Sequence, residues 1–378
     1  MSGILVPVIT LVLFFVVLGG LVLVHELGHF ITARLAGVRV LEFGIGFPPR
    51  AKVLRSRGET LYTLNWLPIG GFVKLEGEDG DDAGDPRSFV RARLPTRLVI
   101  LVAGVGMNLL AAFLIFTAIA WVATPFKGLR FSEVQPDSPA AAAALQPGET
   151  ILAVNGQQFE FFESDGVLEA LQSDVGKTVT LTIQRTDGRI QTAQVTLRSK
   201  AEIDAAPRDP VTGRSTKGPL GISGGERGLE VVFFGTYSRD LPSAIAIGAS
   251  QTTYWFGVIL RGLGDLVQQV ITNPTAPPPV SGPIGIATQI GDIFFGAGPI
   301  LTLYVAGILS ANLALVNILP FPPLDGGRML MIVLKSIFGS RISLRAERLT
   351  YVVGFAFLMA FLIWVSGFDI VRILSGGS

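Results

Sequence analysis

The chain has 378 residues, of which 49% are apolar and only 16% are charged, whereas soluble domains carry about 25% charged residues. Its mean hydropathy of +0.54 indicates a membrane protein with a smaller part in water. The absence of cysteine excludes disulfides and thiolate chemistry. The net charge of +1 gives no support to nucleic acid as the main partner, and the apolar content excludes a predominantly disordered chain.

Four uncharged runs are long enough to cross a bilayer core of about 30 Å as helices. They are Gly3–Val24, Leu98–Phe126, Ile293–Leu324 and Leu349–Phe368. The first run lacks the basic start and the small-residue cleavage site of a signal peptide, so we interpret it as a retained helix. A fifth run, Leu241–Leu260, contains several Ser, Thr and Gln residues. It is typical of an amphipathic helix at the membrane interface, with a further span as the alternative.

Basic residues favour one orientation, because the cytoplasmic loops of membrane proteins are rich in Lys and Arg. Eleven basic residues lie in 34–97 and five lie in 325–348. Both segments are therefore predicted to be cytoplasmic, and the long segment 127–292 is predicted to lie outside.

The parts exposed to water are predicted to be rich in β-structure. Residues 38–97 contain glycines and mixed apolar and polar residues that indicate short hairpins followed by a loop, and 127–230 contain strands with regular apolar–polar alternation. Residues 231–292 are interpreted as an amphipathic and linker region. The predicted regions are 1–37, 38–97, 98–126, 127–230, 231–292 and 293–378.

The first span ends in the motif His25-Glu-Leu-Gly-His29, which uses both histidines of the chain. On a helix, residues four apart lie on one face, so the two imidazoles can bind one Zn²⁺ while Glu26 activates water. Chance is a poor explanation for two His and a Glu within five residues. Ionisable groups at membrane depth are costly and usually functional.

Catalytic zinc needs a third protein ligand and an open position. Since no histidine remains, the third ligand is a carboxylate unless water or substrate takes its place. Asp325 follows the third apolar run, after prolines that stop a helix and before Gly326 and Gly327, which allow a sharp turn. An ordinary loop aspartate is the alternative. If nothing in 127–292 spans the membrane, Asp325 returns to the same face as His25 and His29.

These motifs resemble, in the same order along nearly the whole chain, those of the site-2 protease family of intramembrane zinc metalloproteases. The resemblance is to the branch of the bacterial regulator-of-sigma-E protease. The matching segments are His25–His29, Phe43–Phe47, Pro68–Lys74, Ala103–Asn108, Val134–Gly156, Ser281–Ile286 and Asn317–Gly327.

The resemblance implies a polytopic α-helical membrane protein with about four transmembrane helices. It also implies a membrane-associated β-hairpin region and one extracytoplasmic PDZ-like α/β domain. His25, His29 and Asp325 correspond to the zinc ligands of the family, and Asn317 is implied to contact substrate. The hairpin region is implied to hold substrate as an added strand.

The expected chemistry is metal-assisted peptide hydrolysis, in which Glu26 takes a proton from water and later protonates the leaving amine. Asn108 and Asn317 are candidates to assist at the oxyanion. Gly70, Gly71 and Phe72 are candidates to bind the substrate strand. For the two glycines, an ordinary hairpin turn is the alternative.

Single-span membrane proteins are the expected substrates, and the resemblance implies anti-sigma factors or remnant signal peptides. The protein is expected in the inner membrane of a bacterial cell, with the active site near the cytoplasmic face. The extracytoplasmic PDZ-like domain is expected to bind peptide C-termini or to select ectodomains by size. A membrane scaffold or sensor with a structural zinc is the alternative, which Glu26 opposes because a structural site needs no base. A transporter is disfavoured because no inverted repeats are visible.

Overall fold

The unit that contains both ends of the chain is mainly helical. The computed structural model describes residues 5–78, 84–208, 215–224, 228–273, 275–339 and 342–375. In it, this first unit comprises Met1–Ile119 and Ala244–Ser378. Four described helices are long and apolar enough to cross a membrane. They are α1 (Leu5–Leu35), α2 (Leu94–Val122), α8 (Pro299–Ile318) and α10 (Leu344–Leu374). The predicted number of four apolar helices that could span a membrane agrees with this.

The third predicted span, Ile293–Leu324, is wrong in its extent. A separate helix, α7 (Pro283–Ala297), ends at Gly298, whose φ of 85° does not continue a helix. Pro299 then opens α8, where its missing N–H removes no helical hydrogen bond. Because α8 ends at Ile318, Asp325 does not end a span but begins a further helix, α9 (Asp325–Phe338).

The second predicted span, Leu98–Phe126, is displaced along the chain. α2 begins at Leu94 and ends at Val122, so the helix includes Arg97 in its first turns. It stops where Thr124 and Pro125 enter a strand, since proline does not continue a helix.

The run Leu241–Leu260 forms the first part of α6 (Leu241–Thr272), which is not among the described helices that are apolar enough to span a membrane. Trp255 of α6 donates a hydrogen bond of 2.7 Å to the Tyr304 hydroxyl of α8, which donates one of 2.8 Å to Gln251. α6 therefore packs one face on the helical unit. Its position at the membrane interface stays a prediction.

A buried carboxylate joins α7 to α10. Asp369 is 2% exposed, and its oxygens accept hydrogen bonds from the backbone N–H groups of Gly282 (3.2 Å) and Gly285 (2.9 Å) at the start of α7. A negative group at a helix N-terminus is favourable because the first N–H groups have no helical partner. This contact accounts for the glycines in the segment Ser281–Ile286, since a Cβ atom at position 282 would lie 2.7 Å from a carboxylate oxygen.

Residues 38–75 form the predicted hairpin region, but with two long strands in place of short hairpins. β1 (Val40–Arg57) and β2 (Thr60–Leu75) bend and pair twice. The segment from Glu42 to Ile45 pairs with 61–64 on one side and with 71–74 on the other. No described strand pairs with the outer side of 71–74, so this segment is an edge of the sheet.

The sheet and the helices share a core where the first helix ends. The buried residues of this core are Ala33, Val38, Val40, Leu75, Phe89, Ile100, Leu101 and Ile332. They come from α1, β1, β2, α2 and α9, from the turn between α1 and β1, and from a short 3₁₀ turn (Phe89–Arg91). The core fixes β2 and α9 against the end of α1 that carries the histidines.

The second unit, Ala120–Ser243, is built on a six-stranded sheet in the order β10-β3-β6-β5-β7-β8. Its strands are β3 (Thr124–Arg130), β5 (Thr150–Val154), β6 (Gln157–Glu160), β7 (Thr178–Gln184), β8 (Ile190–Thr196) and β10 (Glu230–Tyr237). The shorter elements are α3 (Pro139–Ala142), α4 (Val167–Ser173), α5 (Lys200–Asp204) and the paired strands β4 (Glu133–Val134) and β9 (Ile222–Ser223). The β-rich prediction for 127–230 agrees with this sheet, and the PDZ-like assignment stays a prediction.

The predicted boundary at 230 divides a strand. β10 pairs antiparallel with β3 along its whole length, so residues 231–237 belong to the second unit and not to a linker. Its partner strand lies about a hundred residues earlier, and the sequence pattern gives no sign of such a distant pairing.

Candidate active site

The end of α1 brings the two histidines together. His25 and His29 are one helical turn apart and buried, and their rings meet edge to face at 88°. Their Nε2 atoms are 3.1 Å apart. Both rings therefore direct the same nitrogen toward one point.

Asp325 reaches that point from the start of α9. Its Oδ2 atom lies 2.9 Å from His25 Nε2 and 3.2 Å from His29 Nε2. Ligands 2.0–2.2 Å from a tetrahedral zinc ion are separated by about 3.4 Å, so a small expansion of this cluster accommodates the ion. Two imidazoles and one carboxylate also leave an open position, as catalytic zinc sites do. The residues present fit a zinc ion.

The opposite ring nitrogens contact α2. His29 Nδ1 donates a hydrogen bond of 2.8 Å to the carbonyl oxygen of Ile100, which leaves Nε2 free of its proton in the neutral ring and available to a metal. His25 Nδ1 lies 3.4 Å from the side-chain amide nitrogen of Asn108. Asn108 is fully buried and lies directly behind His25.

Two glycines allow α1 and α2 to approach at this level. A Cβ atom at Gly28 would lie 2.4 Å from the carbonyl oxygen of Ala103. A Cβ atom at Gly104 would lie 2.5 Å from His29 Nε2 and 2.7 Å from His25 Cε1. No side chain fits at Gly28 while the backbone of Ala103 keeps its place, or at Gly104 while the histidines keep theirs.

Glu26 lies beside a cavity of about 390 Å³ that extends along the edge of β2. Gly71 and Phe72 line this cavity, and a Cβ atom at Gly71 would be 3.8 Å from Glu26 Cγ. Gly70, the preceding residue, has a φ of 71° and packs on Val22. The predicted strand-binding residues thus lie next to the candidate base.

A second cavity of about 350 Å³ adjoins the same cluster. It is lined by His25, Glu26, Asp325 and Asn317, and by Asn108. Asn317 is partly exposed near the end of α8. The two predicted asparagines therefore border one space, and the side chain of Asn108 is fully buried.

Sequence reasoning missed a charged pair at this site. Arg328 lines both cavities and donates a hydrogen bond of 2.5 Å to Glu78, which accepts another from the Leu75 backbone. Burial disfavours its charge, but Glu78 and Asp325 outweigh burial and raise the pKa of Arg328 above its ordinary value. The available signal was spacing, because Arg328 lies three residues after Asp325 on one helical face.

Comparison with known proteins places the chain in a family. Residues 13–361 match the profile of peptidase family M50. The zinc metalloprotease RasP of Geobacillus kaustophilus is 26% identical over 96% of this chain and 97% of its own. A putative zinc metalloprotease of Clostridium perfringens is 31% identical, over 93% and 95%. The probable protease eep of Enterococcus faecalis is 24% identical, over 96% and 99%.

The family match covers nearly all of the described chain, including α1, the β1–β2 sheet, α8 and α9. The relatives match over almost their entire lengths. The chain therefore belongs to peptidase family M50, the site-2 protease family, and is a membrane zinc metalloprotease.

Proposed function

We propose that the protein hydrolyses peptide bonds within the transmembrane segments of single-span membrane proteins. The observation that carries this proposal is the position of the cluster. His25, Glu26 and His29 lie on α1, a helix apolar enough to cross a membrane. Asp325, which follows His25 by 300 positions in the sequence, lies against the two histidines. Ionisable groups at membrane depth are costly and usually functional. A hydrolytic site on such a helix would meet the transmembrane segments of other membrane proteins.

His25, His29 and Asp325 would hold the metal. When bound, zinc supplies a Lewis acid that polarises the scissile carbonyl and lowers the pKa of water. Glu26 lines both cavities and is placed to accept the proton of the attacking water. The same carboxyl group then returns the proton to the leaving amine. Asn317, on the border of the second cavity, is placed to donate to a substrate carbonyl.

The edge of β2 supports binding of an extended substrate. A helical substrate hides its carbonyl groups in backbone hydrogen bonds, and exposing them in a membrane costs several kcal/mol for each unsatisfied group. Residues 71–74 have one edge without a described strand partner, and Gly71 approaches Glu26. An unwound peptide that adds to this edge regains backbone hydrogen bonds beside the candidate base.

The distribution of charge supports an orientation. The positive-inside tendency assigns 34–97 and 325–348 to the cytoplasm. In the proposed topology the active site lies near the cytoplasmic face of a bacterial inner membrane, and the second unit lies outside. We propose that this unit is PDZ-like and binds peptide C-termini or selects shortened ectodomains. Anti-sigma factors and remnant signal peptides are the proposed substrate classes.

A membrane scaffold with a structural zinc is the competing function. Such a protein would need the three ligands but no base and no adjoining cavity. The position of Glu26 on the wall of both cavities favours the protease.

The test compares the parent protein with Glu26→Gln, purified in detergent, assayed for zinc and incubated with a tagged single-span substrate. We expect zinc in both proteins and a loss of cleavage by a factor of about 10² to 10⁴ in the variant, because only the base is removed. Glu59→Gln makes the same change at an exposed turn between β1 and β2 and should cleave normally. Zinc without cleavage in all three proteins, across several substrates with trimmed ectodomains, would favour the scaffold.

A further inference from the structure

The two candidate histidine ligands differ in what holds the ring nitrogen that points away from the metal position. His29 Nδ1 faces the carbonyl oxygen of Ile100, an atom that can only accept. His25 Nδ1 faces the side-chain amide of Asn108, which has an accepting oxygen and a donating nitrogen. The proton of His29 is therefore fixed on Nδ1, whereas that of His25 depends on how the amide is turned.

In the structure, the amide of Asn108 turns its nitrogen toward His25. The nitrogen of Asn108 lies 3.4 Å from His25 Nδ1, and His25 Nε2 lies 2.9 Å from Asp325 Oδ2. With a proton on Nε2, the ring donates to Asp325 and accepts from Asn108. The oxygen of the Asn108 amide is buried and has no partner in the described part of the chain.

A metal on His25 Nε2 reverses these requirements. A neutral imidazole that binds a metal through Nε2 carries its proton on Nδ1. That proton needs an acceptor, and Asn108 offers its oxygen if the amide rotates by half a turn. The two orientations of an amide have nearly the same shape, so the rotation needs no additional space.

We propose that Asn108 is a positioning residue that accepts a hydrogen bond from His25 Nδ1 when the site holds its metal, in place of the substrate contact expected from the sequence. The inference rests on the proposed ligands, and it concerns metal binding and not the peptide bond. The backbone supports the role, since the Ser310 hydroxyl donates a hydrogen bond of 2.7 Å to the carbonyl oxygen of Asn108. This contact ties α2 to α8 at the level of the histidine.

The expected loss of zinc affinity follows from the behaviour of known metal sites. Partners of the outer ring nitrogen fix the tautomer and orientation of a ligand histidine, and their loss typically weakens metal affinity about 10- to 100-fold. Asn108→Leu, which keeps the size and removes the acceptor, should weaken zinc binding by this factor. Asn108→Asp, which can only accept, should bind zinc at least as tightly as the parent protein.

The experiment measures the zinc dissociation constant by competition with a chelator. All variants carry Glu26→Gln, so that the result does not depend on proteolysis. Thr117→Val is the matched control, because it removes a buried hydroxyl without a described partner from the same helix, away from the histidines. Its zinc affinity should equal that of the parent. Thermal unfolding of each variant verifies that it is folded.

Two results would overturn the inference. If Asn108→Leu binds zinc like the parent, His25 does not need this acceptor and the inference fails. A raised KM for a single-span substrate, measured with Glu26 restored, would then show that the residue contacts substrate. If Asn108→Asp loses affinity, then donation by the amide is what the site requires. The second variant decides the question by itself if Asn108→Leu does not fold, and the zinc measurements do not depend on whether the protein is a protease.

Discussion

At the scale of single residues, the candidate zinc site depends on the absence of a side chain at Gly104. The ring atoms of His25 and His29 occupy the space that a Cβ atom would take. Glycine at this position lets α2 pass directly behind the ligands. The contact explains why a small residue is needed inside a helix, where glycine costs about 1 kcal/mol relative to alanine.

Gly104→Ala should therefore lose zinc and proteolytic activity. The added methyl group forces the rings apart, at a cost of about 1–3 kcal/mol for such overpacking. Zinc content per protein and cleavage of a single-span substrate measure the effect. Gly106→Ala, two residues further along the same helix, meets no atom within 4 Å and should retain both. Equal zinc content in the two variants would contradict this packing.

The sequence indicated which residues meet at the candidate site, but not what surrounds them. The i, i+4 spacing predicted the shared face of His25 and His29, and the turn before Gly326 pointed to Asp325. The burial of Asn108 behind His25 was not predictable, because it depends on how α2 is rotated against α1. Arg328 was missed although it lies three residues after Asp325, because this spacing alone does not distinguish a cavity-lining arginine from an exposed one.

At the scale of elements, a partly buried ion pair stabilises the β1–β2 sheet. Glu42 is 9% exposed and accepts hydrogen bonds from Arg50 (2.5 and 3.2 Å) and Thr63 (2.7 Å). Burial opposes its ionisation, but these hydrogen bonds outweigh burial and hold the pKa of Glu42 below its ordinary value. The folded sheet therefore stabilises the ionised form of Glu42.

Glu42→Gln should destabilise the protein at neutral pH by about 1 kcal/mol, a discounted value because Arg50 is half exposed. A lowered pKa in the folded state contributes stability above the unfolded value of about 4.3, which is lost as the pH falls through the folded value. The difference in unfolding midpoint from the parent should accordingly shrink below about pH 4. Thermal unfolding in detergent at several pH values measures it.

The exposed pair of Glu59 and Arg87 provides the control for this effect. Glu59→Gln should change the unfolding midpoint little, because exposed ion pairs contribute about 0–1 kcal/mol. A pH-independent difference for Glu42→Gln would contradict the assigned role of its charge.

The limits of prediction are also clear for helices and strands. Apolar composition located α1, α2, α8 and α10, because a helix that crosses a membrane needs a long uncharged run of apolar residues. It did not reveal the break at Gly298 and Pro299, since a short apolar helix and a span have the same composition. The strand β10 was assigned to a linker because its pairing with β3 is not local.

At the scale of the whole molecule, chain order predicted the convergence of distant motifs. If nothing in 127–292 crosses the membrane, the third span returns to the face where the first one ends. The structure brings Asp325 to the histidines as this parity requires. The side of the membrane occupied by the second unit is a proposal that follows from charge alone.

The claim that cleavage occurs inside the membrane is tested most directly by locating the cleaved bond. A single-span substrate is incubated with the protein in lipid vesicles, and the masses of both fragments are measured. We expect one bond to be cut within the apolar segment of the substrate, and none with Glu26→Gln. Cleavage only in the flanks exposed to water, retained when the apolar segment is replaced by an unrelated one, would contradict proteolysis within the bilayer.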